Sequence, residues 1–376
     1  MLVTETPPGT PNGFGVTLKA LFKEIEHNVL YTDASFNNHG EKNGFLFGHV
    51  PYHRSKKAFF KFISGRIPEW RGIFSILWLK KSIKENFDLV YAFFYSLSCL
   101  RFASWIAEKK GLPLIAHLAD HSDEFHNSEA SRILKSAGRF VCITKDMRDK
   151  YELMLGRKDI EVLHNGAENE CFEIHSPQNL CFSENNPFRL TFIGGLFEYL
   201  HGDCIEDFFL CFSKLKSAFP FLEIHLYGQR QPTDFLSEFL NIDGITHHGI
   251  LMPLEKKFEV MRSAHCFMIP SSFSLNNHAH YRFSFPTKLP ELLCTGRPIL
   301  SYGPTETATN RILADLELGV QVNHRSQVDL ANAIKEIILN YPKYLYSSSD
   351  SGFLSKIKPY TARKMRSKLS KVLKID

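Results

Sequence analysis

Short apolar runs alternate with longer amphipathic stretches along almost the whole chain, and this alternation constrains the fold more than any other feature. The apolar runs are mostly continuous, as is typical of strands covered on both faces. Repeated strand–helix units predict a parallel, doubly wound sheet with right-handed crossovers. The predicted strands of the first half are Leu2–Thr6, Asn28–Asp33, Asp88–Phe94, Pro113–Asp120, Arg139–Thr144 and Ile160–His164. Its predicted helices are Gly15–Ile25, Ile73–Glu85, Leu97–Lys110 and Lys145–Leu155.

The alternation stops over residues 169–187, which are rich in Asn, Ser and Pro, so we interpret them as a linker. It restarts with predicted strands at Arg189–Gly194, Leu222–Tyr227, Ile245–His248, Cys266–Ser271, Pro298–Tyr302 and Gly319–Val322. The predicted helices are Cys204–Ala218, Thr233–Leu240, Pro253–Ser263, Pro286–Cys294 and Gln327–Asn340. Because 376 residues exceed what one core usually supports, the sequence predicts two Rossmann-like α/β domains, 1–168 and 188–345.

A basic amphipathic segment, 359–376, ends the chain. Met365, Leu369 and Val372 recur in it at helical spacing among Lys and Arg residues. Two interpretations stay open. The segment is either a terminal helix that packs back on the first domain with a solvated basic face, or a helix that contacts an anionic membrane surface.

Composition excludes several classes of protein. Hydrophobic residues make up 44% and charged residues 23% of the chain, which excludes a disordered or collagen-like protein. No apolar run approaches the roughly 20 residues of a membrane span, and the first residues lack a signal-peptide pattern. The net charge of +5 is too small to imply nucleic acid as a partner. Eight cysteines without a CxxC pair predict buried free thiols in a reducing compartment, so we expect a cytoplasmic protein.

Ligands of open parallel sheets bind at the carboxyl ends of the strands, so the loops after the predicted strands are candidate sites. A loop rich in Pro and Gly follows the first strand and places Gly13 and Gly15 just before a helix. Such glycines let backbone amides approach an anion at a helix N-terminus. The loop matches neither GxGxxG nor a Walker loop, which argues against nicotinamide and P-loop sites. A turn without a ligand is the alternative.

Titratable groups are concentrated at the end of the strand Pro113–Asp120 and just beyond it. His117 and Asp120 lead this cluster, which we interpret as a candidate for proton handling or for contacts with sugar hydroxyls. The alternative is that His117 is a hydrogen-bonded core histidine and that Asp120 or Ser122 caps the next helix.

Two loops of the second half are candidates for an anionic ligand. Gly194 and Gly195 follow its first strand and permit close approach to a phosphate. No Arg or Lys follows this pair, so the loop supplies no counter-ion of its own. Arg230 follows the strand Leu222–Tyr227 and places one cation at a strand end.

The densest signal lies over residues 282–298. Pro286 suits the first turn of a helix, and Thr287 and Lys288 then offer backbone amides and a cation at the positive end of its dipole. Glu291 follows about one turn later on the same face, within reach of a ribose or sugar hydroxyl pair. An ordinary capped helix is the alternative.

These motifs resemble those of GT-B glycosyltransferases, especially the retaining family 4 enzymes, over nearly the whole chain. The residues that carry the resemblance are Asn12-Gly13-Phe14-Gly15, Val162-Leu163-His164-Asn165-Gly166, Phe192-Ile193-Gly194-Gly195-Leu196, His265-Cys266-Phe267-Met268-Ile269-Pro270-Ser271, and Pro286-Thr287-Lys288-Leu289-Pro290-Glu291-Leu292-Leu293 with Gly296-Arg297-Pro298. The last motif, with its Gly-x-Pro exit, is the most specific. The resemblance implies two Rossmann-like domains that face each other across a cleft.

The resemblance also implies roles for individual residues. Glu291 would bind the donor's ribose hydroxyls, while His117 or Asp120 would lie near the transferred sugar. Together with the loops above, the donor-binding candidates are Gly13, Gly15, Gly194, Gly195, Arg230, Pro286, Thr287, Leu289 and Glu291. The catalytic candidates are His117, Asp120 and Lys288.

The resemblance implies a reaction that moves a sugar from a UDP- or GDP-sugar to a glycan or lipid-linked acceptor, with retained anomeric configuration, in the synthesis of a bacterial surface polysaccharide. Separating a sugar cation from its diphosphate demands cations and amide dipoles around the leaving group. Lys288, Arg230, Arg282 and the glycine loops are the available donors. No DxD or other metal-ligand spacing falls in a matching loop, so we predict no metal and no cofactor besides the donor.

Basic and aromatic residues interleave over His49–Arg71. This pattern suits a lipid-diphosphate acceptor or an anionic membrane, and it predicts peripheral attachment to the inner face of a bacterial membrane. A solvated basic face over core aromatics is the alternative. No nucleic-acid recognition module accompanies the pattern.

Two other functions stay open. One is a degenerate GT-B subunit that binds a partner enzyme. Two departures from the family pattern support it: Phe283 stands eight residues before Glu291, where many family members have Glu, and the loop after Gly195 lacks cations. A sugar-nucleotide epimerase would need carboxylates near the anomeric carbon, and the candidate cluster is Asp120, Asp123 and Glu124.

Overall fold

The computed structural model describes residues 1–10, 12–25, 27, 29–33, 44–49, 87–173, 181–229, 236–251, 254–347 and 349–374. The chain divides into two compact units. One comprises Met1–Leu163 with Lys368–Asp376, and the other comprises His164–Ser367. The predicted end of the first domain, residue 168, lies a few residues beyond this division.

A parallel sheet forms the centre of the first unit. Its strands are β1 (Leu2–Thr4), β2 (Val29–Asp33), β3 (Gly44–His49), β4 (Val90–Phe94), β5 (Leu114–Leu118), β6 (Arg139–Cys142) and β7 (Glu161–Val162). The strand order is β3-β2-β1-β4-β5-β6-β7, so the order reverses between β1 and β4. Strands β1, β4 and β5 are buried along their whole length, which explains why they read as continuous apolar runs.

Helices of the first unit have their predicted bounds where a side chain caps the start and a glycine ends the helix. Up to residue 163, the helices among the described residues are α1 (Gly13–Phe22), α2 (Leu97–Lys110), α3 (Ser128–Ser136) and α4 (Lys145–Leu155). Ser96 caps α2 by accepting from the Cys99 amide, and Gly111 ends it with a φ of 64°. Short α3, with a 3-10 turn over Asp123–His126 before it, was not predicted from the sequence.

The second unit has its own parallel sheet. Its strands are β8 (Phe188–Ile193), β9 (Leu222–Tyr227), β10 (Ile245–His247), β11 (Cys266–Pro270), β12 (Ile299–Tyr302) and β13 (Val320–Val322). Their order, β10-β9-β8-β11-β12-β13, reverses between β8 and β11. Phenylalanines fill much of the core beside this sheet, including Phe188, Phe208 and Phe212. Each predicted strand of both halves corresponds to an observed strand, whereas β3 was missed.

Helices alternate with these strands in the second unit and follow them toward its end. They are α5 (Glu198–Leu215), α6 (Leu254–Ser263), α7 (His278–Phe283), α8 (Leu289–Cys294), α9 (Ala308–Leu316), α10 (Gln327–Leu339), α11 (Ser351–Ile357) and the start of α12 (Ala362–Val372). Helices α7, α9 and α11 were not predicted. The predicted helix Thr233–Leu240 is wrong over its described part, which forms turns and the 3-10 segment Phe239–Asn241. Within the predicted linker, Asn169–Glu173 is a 3-10 turn.

The C-terminal helix α12 buries its apolar face. Met365, Leu369 and Val372 are at most 5% exposed. Arg366 pairs with Glu168 at 2.7 Å, and Lys368 Nζ donates to the Val162 carbonyl at 3.3 Å. This burial favours the interpretation as a packed terminal helix with a basic outer face.

Among the described residues, no helix combines the length and the hydropathy that crossing a membrane requires. All eight cysteines are free thiols, and every one except Cys181 is buried.

Candidate functional site

Gly194 and Gly228 lie where the ends of β8 and β9 approach each other. The Gly194 amide donates to the Tyr227 carbonyl at 2.8 Å, and the Leu196 amide donates to the Gln229 carbonyl at 2.8 Å. A Cβ placed on Gly228 would lie 1.6 Å from the Gly194 carbonyl oxygen. The loops after β8 and β9 are therefore joined backbone to backbone, with no room for a side chain between them.

Three helices begin at this same edge of the sheet. Because all its strands are parallel, each crossover helix starts at the carboxyl end of the strand before it. Helix α5 follows β8, α6 follows β10, and α8 lies on the crossover from β11 to β12. The first residues of these helices therefore share the carboxyl edge with the glycine loops.

The predicted helix Pro286–Cys294 is too long. Pro286 begins a turn in which its carbonyl accepts from the Leu289 amide at 2.9 Å, and α8 starts only at Leu289. The amide of Leu289, one of the predicted donor-binding residues, is thus engaged within the protein. Asn165 Nδ2 donates to the Thr287 carbonyl at 2.6 Å and fixes this turn.

Glu291 lies in the first turn of α8 and is paired with a lysine that the sequence analysis missed. Lys257 Nζ donates to Glu291 Oε1 at 2.5 Å, while Glu291 Oε2 is buried without a hydrogen-bond partner. The sequence signal for Lys257 is its helical spacing, four and seven residues before the apolar Met261 and Ala264. In the structure all three residues are buried. A charged residue on the apolar face of a helix indicates a buried partner.

Lys288, a predicted catalytic residue, immediately precedes α8. Burial lowers the pKa of Lys288, and the nearby charge of Lys257 lowers it further, whereas Glu291 raises it. The charges of Lys288, Lys257 and Glu291 therefore interact with one another at the start of α8.

A second missed residue, His201, lies in the first turn of α5. Its Nδ1 is 3.1 Å from Tyr281 Oη, and that hydroxyl also donates to the Leu200 carbonyl. Burial, with a smaller contribution from His280, lowers the pKa of His201 to about 4. A neutral imidazole therefore stands near the loop of Gly194 and Gly195 at neutral pH.

In the first unit, the predicted glycine loop is shaped by its own packing. Asn12 caps α1 by accepting from the Gly15 amide at 2.8 Å, and Gly13 is the first residue of the helix. A Cβ on Gly15 would lie 2.6 Å from the Thr10 carbonyl oxygen. Local packing is thus a sufficient reason for Gly15.

His117 is fully buried, and both its ring nitrogens are engaged. Nε2 lies 2.9 Å from the Leu163 carbonyl and Nδ1 lies 2.7 Å from Tyr91 Oη. A carbonyl only accepts, so Nε2 carries a proton and donates to Leu163, and when the ring is neutral Nδ1 accepts from the tyrosine hydroxyl. This geometry favours the alternative of a core histidine over a catalytic one.

We expect His117→Ala to lower the free energy of unfolding by about 3 kcal/mol, because it opens a cavity and removes both hydrogen bonds. Tyr91→Phe, which removes one of them, is expected to cost about 1 kcal/mol. Urea denaturation of both variants measures these losses. A His117→Ala protein of full stability but without turnover would restore the catalytic role.

Asp120 and its neighbours form a separate cluster. Asp120 Oδ1 accepts from the His121 amide at 2.9 Å. His121, Asp123 and His126 bring one possible metal-ligand atom each to within 4.8 Å of one another. Lys150 Nζ donates to His121 Nε2 at 2.9 Å, however, so an ammonium already occupies that lone pair. Glu124 Oε2 accepts from the Leu97 amide at 3.2 Å.

A third missed residue, Glu5, bridges the reversal point of the first sheet. Its Oε1 accepts from the amides of Tyr95 and Ser96 and from the Ser96 hydroxyl, at 2.7–3.1 Å. Its Oε2 is buried without a partner. Burial raises the pKa of Glu5 to about 7, although the bonds from Ser96 act in the opposite direction.

Two candidate sites lie outside the described residues: Arg230 and most of the basic–aromatic segment, residues 50–71. The predicted helix Ile73–Glu85 lies outside them too. Arg282, at the end of α7, is exposed and lies over the Phe283 ring, 5.5 Å from its centroid.

No family model matches the chain, and no curated protein matches it. Solved structures do match it over nearly its whole length. HepE of Anabaena in complex with UDP-glucose has a TM-score of 0.65 at 13% identity, covering 99% of this chain and 98% of that one. The lipopolysaccharide outer core galactosyltransferase WaaB, in its apo form, has a TM-score of 0.62 at 13% identity, with the same coverage.

A third match is to trehalose-6-phosphate synthase, from a study of glycosyltransfer with retention. Its TM-score is 0.65 at 13% identity, covering 99% of this chain and 98% of that one. At such low identity these matches concern the fold. They confirm the predicted fold class, α/β with two parallel sheets of the GT-B type.

Proposed function

We propose that the chain is a glycosyltransferase that uses a nucleotide-diphosphate sugar as its donor. The observation that carries this proposal is the Glu291 carboxylate at the carboxyl edge of the second sheet, with Oε1 paired and Oε2 buried without a partner. A buried acceptor calls for a donor, and a ribose hydroxyl supplies one. The fold likeness to HepE with UDP-glucose and to the galactosyltransferase WaaB adds support.

The leaving diphosphate would be stabilised at the same edge. As the bond to the sugar breaks, negative charge grows on the phosphate oxygen, and oriented backbone dipoles and cations lower that barrier without rearranging. Gly194 and Gly195 carry no side chain that would keep a ligand away from the backbone there. Lys288 supplies a cation next to Glu291.

Each finer assignment has its own support. Retention, as in family 4, is supported by the match to trehalose-6-phosphate synthase. A glycan or lipid-linked acceptor in bacterial surface polysaccharide synthesis is supported by the match to WaaB and by the basic–aromatic segment of the sequence. Attachment to an anionic inner membrane face rests on that segment alone. We also propose that the chemistry needs no metal ion.

Incubation with a panel of UDP- and GDP-sugars tests the activity. We expect slow release of UDP or GDP with one donor, unchanged in the presence of EDTA. When an alcohol acceptor is added, we expect a glycoside whose anomeric proton has the same orientation, axial or equatorial, as that of the donor. An inverted product would refute retention. A fall in turnover with EDTA would refute metal independence.

Glu291→Gln is expected to weaken binding of the released nucleotide roughly tenfold to a hundredfold, the usual range for a hydrogen bond to a charged group. Isothermal titration calorimetry measures it. Glu259→Gln, an exposed carboxylate on α6, is the matched control and is expected to bind as wild type does. Equal affinity in all three proteins would argue against a nucleotide at this carboxylate.

A second candidate function is a nucleotide-binding subunit without turnover. It is favoured by His117, whose ring nitrogens are both held inside the first unit. The same panel distinguishes the two. Nucleotide binding in calorimetry without release or epimerisation of any donor supports the subunit, whereas release supports the enzyme.

A further inference from the structure

A lysine near the start of α6 is buried, although lysine is rarely found inside proteins unless it is paired. Lys257 is 8% exposed, whereas the adjacent Lys256 is exposed. Because α6 leads into β11 from the carboxyl end of β10, Lys257 lies at the same edge of the sheet as Glu291. Of the two adjacent lysines, Lys257 is therefore the one whose side chain is buried.

The ammonium of Lys257 fixes the Glu291 carboxylate. The two side chains are 10% and 17% exposed, and Nζ lies 2.5 Å from Oε1. Water screens so buried a pair only weakly, so each group holds the other in place. Rotation of the carboxylate would break the pair and leave two buried charges apart.

Two buried acceptor atoms on or against residues 287–291 have no hydrogen-bond partner. Glu291 Oε2 is buried without a partner, and so is Oδ1 of Asn165, whose Nδ2 donates to the Thr287 carbonyl. Asn165 is 3% exposed. Unsatisfied buried acceptors are rare in native proteins, and both of these belong to side chains on or against residues 287–291. A ligand that brings hydroxyl donors would satisfy them.

We propose that Lys257 is a positioning residue. By holding Oε1, it directs Oε2 of Glu291 to a pentose hydroxyl and sets how strongly the site distinguishes ribose from deoxyribose. This inference rests on the proposed function. A neutral side chain at position 257 removes the counter-ion, so the carboxylate loses its fixed orientation. Direct contact of Lys257 with the diphosphate is the competing role.

Calorimetry with UDP, 2′-deoxy-UDP and 3′-deoxy-UDP separates these roles, or the guanine series where the wild type prefers GDP. We expect the wild type to bind at least one deoxy analogue roughly tenfold more weakly than the ribonucleotide. In Lys257→Met this ratio is expected to fall to about threefold or less, and Lys257→Arg is expected to keep most of it. Lys256→Met, the exposed neighbour, is the matched control and keeps the full ratio.

The outcomes separate the inference from the proposed function. A preserved ratio in Lys257→Met overturns the inference, whether UDP affinity is unchanged or lost uniformly, since a uniform loss indicates a phosphate contact or a general structural role. No binding of any nucleotide by the wild type overturns the proposed function and this inference with it. Circular dichroism checks that each variant is folded, and Lys257→Gln replaces Lys257→Met where the latter is not.

Discussion

Gly228→Ala is expected to lower the free energy of unfolding of the second unit by on the order of 4 kcal/mol, or to prevent it from folding. Gly228 has a φ of +146°, and a Cβ there would lie 1.6 Å from the Gly194 carbonyl oxygen. That oxygen belongs to the backbone beside the β8–β9 ladder, so no side-chain rotation relieves the overlap. Urea denaturation of the full chain, followed by circular dichroism, measures the loss.

Gly249→Ala is the matched control. Gly249 also has a positive φ, +76°, and its carbonyl accepts from the Gly228 amide, but no atom lies within 4 Å of an added Cβ. Backbone strain alone is expected to cost roughly 1 kcal/mol there. If the two variants lost the same stability, the close approach of the loops after β8 and β9 would be refuted.

The order of strands and helices can be predicted from this sequence because buried parallel strands leave continuous apolar runs. Strand β9 and helices α2 and α4 have the predicted bounds, since Gly111 and Gly156 end the helices in the left-handed conformation. The helix at Pro286 is shorter than predicted because a proline that suits a first helical turn also suits a β-turn. Local sequence does not decide between the two.

The candidate site is only partly predictable. Glu291 and the glycines lie in local motifs, so the sequence can indicate them. The partners of these residues depend on tertiary packing: Lys257 is 34 residues from Glu291, and Ser96 is 91 residues from Glu5. The partner of His117 could not be predicted from local sequence either, because Leu163 is 46 residues away. This contact favours a structural role for His117 over the predicted role in proton transfer.

The wild-type chain is expected to lose about 3 kcal/mol of stability relative to Glu5→Gln between pH 4.5 and pH 7.5. Burial raises the pKa of Glu5 from 4.5 to about 7 in the folded protein. Below pH 4.5 the carboxyl is protonated in both the folded and the unfolded chain, so its pKa shift has no effect. As the pH rises, the unfolded chain loses the proton first and is stabilised, and above pH 7 the loss is complete.

Glu5→Gln isolates this effect because glutamine is neutral throughout and its Oε1 retains an acceptor for Tyr95 and Ser96. Burial lowers the pKa values of His201 and His265 to about 4, so these two residues increase the stability of the fold as the pH rises. Both are present in the two proteins, so their contributions cancel in the difference. Urea denaturation at half-unit pH steps measures the difference in free energy of unfolding between wild type and Glu5→Gln. Glu108→Gln, where the side chain is 63% exposed, is expected to follow the wild-type profile. A constant difference between wild type and Glu5→Gln would mean that Glu5 is ionised in the fold, and its buried Oε2 would then require a cationic or donor partner at the reversal point of the first sheet.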